Sequence, residues 1–476
     1  MHRIELGGKN FWNIDMSAFL EALRSAVGVD QVVTDVEAKH LGDYMMQVPA
    51  SDGPLAVLLP RTTEDVAAIL RVCSAHGVPA VPQGGLTGLA GGAVPIKGGV
   101  AISMQRMRRI EEVDAAASTM TVEAGVPLQA IQEAAEAAGL MFPLDIGSRG
   151  SCQIGGNIST NVGGNRVLRF GMARDLVLGF EAVLADGTIL TSLNKMQKNN
   201  AGYDLKQLFI GSEGTLGVVT RLVLRLFPQP ASSRIALVTL ADYVGVLDLL
   251  VRAKAGLGGN LAAFEVMWPE FYELATTAHG VRPPLLRGAP LYVLLESLGA
   301  DPDSDAARFD AMVEAALEAG VVTDAVIAQN MREGRELWAL RDSVTEFSRS
   351  FFPAVGFDIS IPIADMQRFV DEAKAALHAR HQAIRAVWFG HIADSNLHIN
   401  VKLEDDGPTA EEVSAIVYGR VREYGGSVSA EHGIGLLKRN YLGYTRSDAE
   451  IAVMRKIKAA LDPQGLLNPG KVFSLG

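Results

Sequence analysis

Pro82-Gln83-Gly84-Gly85-Leu86-Thr87-Gly88-Leu89-Ala90-Gly91-Gly92 places five glycines in the nine positions 84–92. Backbone so bare of side chains lets its amides crowd against phosphate oxygens. A mobile surface loop would carry more Ser, Asn or charge, and Leu86, Leu89 and Ala90 argue for a packed one. The spacing is neither G-x-G-x-x-G nor a Walker loop, which disfavours an NAD-type site or an NTPase. Upstream, Ala56-Val57-Leu58-Leu59-Pro60 reads as a strand and Thr62-Thr63-Glu64-Asp65 as a helix N-cap; Val66, Ile69, Leu70 and Cys73 form that helix's apolar face. Gly77 stops the helix and 78–81 is a second short strand, so the loop leaves a βαβ unit.

Earlier in the chain, 17–27 reads as an amphipathic helix capped by Asp15 or Ser17. Beyond the loop, 99–103 and 119–123 read as strands and 127–138 as a helix ending at Gly139. Then come Pro143-Leu144-Asp145-Ile146-Gly147-Ser148 and the tract Ser151-Cys152-Gln153-Ile154-Gly155-Gly156-Asn157-Ile158-Ser159-Thr160-Asn161-Val162-Gly163-Gly164-Asn165. That tract has almost no charge, so it can approach a bulky ligand and hydrogen-bond it without repelling a pyrophosphate. Ile154, Ile158 and Val162 argue against a mobile loop. Residues 180–190 read as a β-hairpin around Asp186-Gly187. Gly211-Ser212-Glu213-Gly214-Thr215-Leu216-Gly217-Val218 is another glycine-rich turn entering a strand, and Phe227-Pro228-Gln229-Pro230 closes the region.

The 476 residues exceed one ordinary core, so two or three domains are expected. A net charge of −11 with no Lys/Arg cluster argues against nucleic acid as a partner. Cys73 and Cys152 are the two cysteines, which excludes a disulfide framework and fits a reducing compartment. The amino terminus, with Glu5, Lys9 and Asp15, has no signal-peptide core, and no apolar run reaches about 18 residues. A cytoplasmic protein is expected, with peripheral membrane contact left open.

The second half mixes strand-like runs (234–240, 292–296, 387–390, 397–403) with helical ones (244–253, 305–319, 363–379), an α+β pattern with an antiparallel sheet. Within it, Gly390-His391-Ile392-Ala393-Asp394-Ser395-Asn396-Leu397-His398-Ile399-Asn400 reads as a hairpin. Leu397, Ile399, Val401 and Leu403 alternate with His398, Asn400 and Lys402, and Asp394-Ser395-Asn396 has turn chemistry. Cross-strand neighbours on one face are about 5 Å apart, so His391 and His398 could share a metal ion. Two histidines seven apart are more often a polar face or core residues. Glu431, in Ser429-Ala430-Glu431-His432-Gly433-Ile434-Gly435, is a third candidate donor. Two His and one carboxylate with open positions is the pattern of a catalytic metal, since structural sites are closed by protein ligands.

The loops at 84–92, 145–148, 155–164 and 211–220, in that order and spacing, resemble the FAD-binding domain of the vanillyl-alcohol-oxidase (PCMH-type) superfamily. The likeness spans about residues 45–228. There such loops wrap the FAD pyrophosphate, ribityl chain and adenosine. The resemblance implies contacts from Pro82, Gln83, Gly84, Gly85, Leu86, Thr87, Gly88, Gly91 and Gly92 in the first loop. Pro143, Asp145, Ile146, Gly147 and Ser148 would follow, then Gly155, Gly156, Asn157, Ser159, Thr160, Asn161, Gly163 and Gly164. Glu213, Gly214, Gly217, Val218 and Asn468 would complete the set. Some relatives attach the flavin to a His where Leu86 stands, so non-covalent FAD is expected. Residues 390–400, 429–435 and Leu461-Asp462-Pro463-Gln464-Gly465-Leu466-Leu467-Asn468-Pro469-Gly470-Lys471 together resemble the carboxy-terminal half of FAD-linked D-2-hydroxyacid dehydrogenases, the group of D-lactate, glycolate and D-2-hydroxyglutarate dehydrogenases. The implied architecture is α+β: FAD domain 1–228, substrate domain 229–420, and a carboxy-terminal segment 421–476 completing the active site.

Oxidising a 2-hydroxy acid by hydride transfer requires a flavin against carbon 2, a base for the hydroxyl proton and a cation for the carboxylate. The family likeness assigns His391, His398 and Glu431 to a divalent ion, Zn or Mn, and His432 to the base. It gives Asn400 a hydrogen bond to the carboxylate, and makes Arg341 a carboxylate cation with Thr345 one helical turn on. A Lys common in the family is replaced by Gly356, with no Lys between 341 and 362. D-Lactate and D-2-hydroxyglutarate are both candidate substrates. The electron acceptor (a quinone, an electron-transfer flavoprotein, a cytochrome or dioxygen) and a homodimeric state are left open. A metal-dependent hydrolase would explain the His/Glu trio without the glycine tracts, and a non-catalytic flavoprotein subunit the tracts without the trio.

Overall fold

The computed structural model describes residues 15–42, 53–277, 282–347 and 351–474; Glu5 and Lys9 lie outside them. Two compact units emerge. The first comprises Met1–Val162, Met172–Gln229 and Glu431–Gly476, the second Gly163–Gly171 and Pro230–Ala430. The sequence placed boundaries at 228/229 and 420/421; the units divide at 229/230 and 430/431.

In the first unit, Thr63–His76 is a helix because the Thr62 hydroxyl accepts from Asp65 N and Gly77, at φ +66°, ends it in the left-handed conformation that favours glycine. It joins Val57–Leu58 to Ala80–Gln83, and both strands pair in parallel with Val100–Ser103, which lies between them. The expected βαβ unit is therefore present, with one strand inserted. Its core packs Ile69, Leu70 and Cys73 of that helix with Phe19 and Leu23 of the helix Met16–Val27, which Asp15 caps. A five-stranded antiparallel sheet follows, in the order Ile110–Asp114, Thr119–Glu123, Val218–Arg225, Val177–Val183, Ile189–Ser192. The Asp186-Gly187 turn closes its last hairpin, with Gly187 at φ +82°. After the capped helix Asp448–Leu461, Leu467 bridges to Ala80.

The second unit holds a seven-stranded antiparallel sheet in the order Asp324–Ile327, Ser232–Leu240, Leu291–Gly299, Leu261–Met267, Ala386–Gly390, Asn396–Lys402, Ala354–Ser360. The expected hairpin is its fifth and sixth strands, with Phe389 opposite His398 and Val387 opposite Asn400. Leu261–Met267 has no counterpart in the sequence reading. All its residues are buried, so the alternation that betrays a half-exposed strand is missing. Gly163–Gly171 joins this unit because Arg166 Nε lies 3.2 Å from Glu296 and Arg169 donates to the Leu298 carbonyl. No helix among the described residues is long and apolar enough to cross a membrane.

Candidate active site

The glycine tracts of the first unit meet backbone to backbone. A methyl group at Gly85 would lie 2.0 Å from the Ser151 carbonyl oxygen, one at Gly155 2.7 Å from Ala124 Cβ, and one at Gly84 3.6 Å from Gly156 Cα. Leu86, Asn161, Glu213 and Asn468 all adopt positive φ, between 42° and 58°. Strain of this kind persists where the surroundings over-determine a ligand clamp. Gln153 Oε1 and Asn468 Oδ1 are buried with no hydrogen-bond partner among the described residues. Such acceptors, set in nearly uncharged walls, suit the hydroxyl and amino donors of FAD, so the residues fit that cofactor.

Several expected FAD contacts are engaged within the protein. Gln83 donates to the His40 and Ala93 carbonyls, and its Oε1 lies 2.7 Å from His40 Nδ1. Glu213 accepts from the amides of Ile434 and Gly435 at 2.7 and 2.8 Å. Asn468 Nδ2 donates to the Gly92 and Glu213 carbonyls, and Lys471 to the Val94 carbonyl. The carboxy-terminal tail thus staples the glycine-rich loops. Burial raises the Glu213 pKa, opposed by the two amides and by Lys438 and Lys471. Burial also pulls Lys471 down to about 7, with Glu213 opposing.

In the second unit, the histidine rings of the hairpin lie 5.5 Å apart, and His398 stacks on Phe389 at 5.0 Å. His391 Nδ1 stands 2.7 Å from Oε1 of Glu265, a fully buried residue of Leu261–Met267. Arg341 Nε donates to Glu265 Oε2 at 2.6 Å, its Nη2 is 3.3 Å from His391 Nε2, and its guanidinium covers the Phe389 ring. Burial alone would raise the Glu265 pKa, but His391 and Arg341 outweigh it and hold it at about 2. Burial pushes Asp394, in the hairpin turn, up to about 6. Asp358, opposite His398 in the sheet, is equally buried; its Oδ1 accepts from Asn396 at 2.8 Å and lies 4.0 Å from His398 Nδ1. The Asp358 backbone carbonyl accepts from Ala430, and its Oδ2 from Ser429, which fixes the segment leading directly into Glu431 and His432. Ligand atoms of His391 and His398 lie within 4.8 Å of each other, as do those of Asp358 and His398.

Residues 229–472 match the FAD linked oxidases, C-terminal domain, and residues 54–192 match the FAD binding domain. D-2-hydroxyglutarate dehydrogenase of Xanthomonas citri pv. viticola is 42% identical over 88% of this chain and 89% of its own. The mitochondrial D-2-hydroxyglutarate dehydrogenase of Bos taurus is 39% identical over 93% and 81%. The chain belongs to the FAD-linked D-2-hydroxyacid dehydrogenases. It is an FAD-dependent oxidoreductase acting on a small hydroxy acid and passing electrons to an acceptor. The solved structure of 4-ethylphenol oxidase from Gulosibacter chungangensis superimposes with a TM-score of 0.76 over 96% of this chain and 97% of that one; at 21% identity it shows the PCMH-type fold alone.

The second unit thus brings the two expected histidines together and sets Arg341 against His391. Asn400 shares a strand face with His398, opposite Gly356, where a methyl group would lie 3.1 Å from the Asn400 Oδ1. Thr345 belongs to the turn Ser343–Glu346, and its side chain lies outside the described residues. Glu265 and Asp358 escaped the sequence reading. The available signal was a lone acid inside an apolar run, Phe264-Glu265-Val266 and Phe357-Asp358-Ile359, since a buried carboxylate must be paired.

Proposed function

We propose that the enzyme oxidises D-2-hydroxyglutarate to the 2-keto acid, with non-covalent FAD in the first unit and a divalent ion, Zn or Mn, held by His391, His398 and Glu431. The pairing of His391 and His398, their rings 5.5 Å apart, beside the buried Arg341 guanidinium carries the reading: with Glu431 as the third donor that the family likeness assigns, it supports a cation site for the hydroxy-carboxylate and a second cation for a dicarboxylate. The names of the two dehydrogenase relatives support this substrate over D-lactate. FAD held by the glycine tracts of the first unit would supply the hydride acceptor for carbon 2. The ion, when bound, lowers the pKa of the 2-hydroxyl. A ring nitrogen of His432 accepts the hydroxyl proton, so that carbon 2 becomes a carbonyl as its hydrogen leaves with two electrons. The Asn400 amide and the Arg341 guanidinium hold carboxylate oxygens, the latter as a charge-assisted pair. A quinone, an electron-transfer flavoprotein or a cytochrome would be the final electron acceptor.

Anaerobic flavin bleaching with D- and L-2-hydroxyglutarate, D-malate and D-lactate tests this assignment. D-2-Hydroxyglutarate should bleach fastest, and Arg341→Ala should weaken it about 10- to 100-fold, the loss of one charge-assisted hydrogen bond of about 1.5–3 kcal/mol. Faster bleaching by the L-isomer or by D-lactate would overturn it.

A further inference from the structure

We propose that the cleft between the carboxy-terminal tail and the helix Asp448–Leu461 is a second ligand site of the first unit, one that takes a small organic anion with a carboxylate or phosphate head on an apolar body. The cleft measures about 340 Å³ and is lined by Arg439, Asn440, Leu442, Ile451, Arg455 and Phe473. That volume falls in the range of about 300–1,000 Å³ usual for small-molecule sites. A capping box at Ser447 and Glu450 starts the helix, and Ile451 and Arg455 follow four residues apart on one of its faces. The tail is held by Lys471 on the Val94 carbonyl and by the Val472 amide on the Gly435 carbonyl, which brings Phe473 to the wall. Leu442 and Phe473 are buried and supply apolar surface. Arg439 Nη1 donates to the Gly470 carbonyl at 2.8 Å, and Arg455 Nε to the Ser474 carbonyl at 3.1 Å. A backbone oxygen thus fixes each guanidinium without neutralising it, and five donors per guanidinium leave others for a ligand. Among the described residues neither arginine forms an ion pair with a carboxylate, whereas neighbouring Arg446 is paired with Glu450 at 3.1 Å. Arginines serving solubility alone would project into water; these two are tied to the tail and share one cleft with apolar side chains. A planar guanidinium takes carboxylate or phosphate oxygens in a fork, and the apolar wall selects what that head carries. None of the lining residues belongs to the expected flavin loops or to the His/Glu region, so the site is independent of the dehydrogenase reading.

The test is calorimetric titration of the full-length, FAD-loaded protein with two probes, octanoate and hexyl phosphate, and with acetate and inorganic phosphate as heads without bodies. At least one probe should bind, about 10-fold or more tightly than its bare head, a ratio that burying a few CH₂ groups supplies. Arg455 is exposed on its helix, so its replacement leaves the core intact. Arg455→Gln should weaken that probe about 10- to 100-fold through the lost charge-assisted hydrogen bonds, and Arg455→Glu should weaken it further by repelling the head. FAD content and the rate of flavin bleaching by D-2-hydroxyglutarate should stay as in wild type in both variants. Octanoate as the tighter probe would identify a carboxylate ligand, and hexyl phosphate a phosphate ester. Failure of both probes to bind would overturn the proposal, as would a bare head that binds as tightly as its probe. Binding that keeps its wild-type strength in the two Arg455 variants would place the probe elsewhere and overturn it equally.

Discussion

In the first unit the tightest constraint is an absence of side chain: a methyl at Gly85 would sit 2.0 Å from the Ser151 oxygen. In the second it is a pair of charges, Arg341 on Glu265 at 2.6 Å, with their side chains 6% and 0% exposed. The cofactor region is built from backbone packed against backbone, with few charges to titrate or mispair. The His/Glu region is built from buried ionisable groups, each of which is costly unless a partner faces it. A backbone cradle tolerates little added volume and a charged cluster tolerates no unbalanced deletion, so the two should fail in different observables.

His432→Ala should separate them most sharply. Loss of a general base slows flavin reduction about 10²-fold or more, while FAD content, which the glycine tracts carry, should not change. A variant that loses substrate binding but keeps the wild-type reduction rate would make His432 structural. Gly85→Ala should do the reverse. The loops must shift to admit the methyl group, at a cost of about 1–3 kcal/mol by analogy with overpacking, and FAD should dissociate more readily, while Zn²⁺ affinity stays as in wild type. Equal FAD retention would show the cradle to be more plastic than its contacts indicate.

A third effect, read as a pH dependence of stability, concerns the staple formed by the tail. Lys471 is protonated in the unfolded chain up to about pH 10.5 but in the folded one only to about 7. Between those values the unfolded chain binds more protons, so this group makes stability rise with pH, by at most about 1.4 kcal/mol per pH unit. Below pH 7 both states carry the proton and the contribution is flat. Denaturation curves of Lys471→Met from pH 7 to 10 should show a shallower rise than wild type; an unchanged slope would assign the rise elsewhere.

The same contrast decides what the sequence disclosed. Glycine tracts announce themselves by composition, and the βαβ unit by caps and periodicity at Thr62 and Gly77. The hairpin carrying His391 and His398 was legible because one face of its second strand is partly exposed, giving the period-two alternation. Glu265 was not, because a strand buried on both faces has no alternation and its partners lie 76 and 126 positions away, at Arg341 and His391. Gly163–Gly171 shows the complementary failure: the composition that marks a cofactor loop continues into a segment that Arg166 and Arg169 attach to the second unit. Gln83 and Glu213 stand in the expected loops, yet their polar groups bond to the protein itself.

The division of labour between the two regions is tested most directly by one sample measured twice. Protein dialysed against a strong chelator should keep its yellow flavin spectrum, and under anaerobic conditions D-2-hydroxyglutarate should no longer bleach it. Adding Zn²⁺ or Mn²⁺ should restore bleaching. A metal-free protein that is reduced by D-2-hydroxyglutarate at the untreated rate would contradict the account.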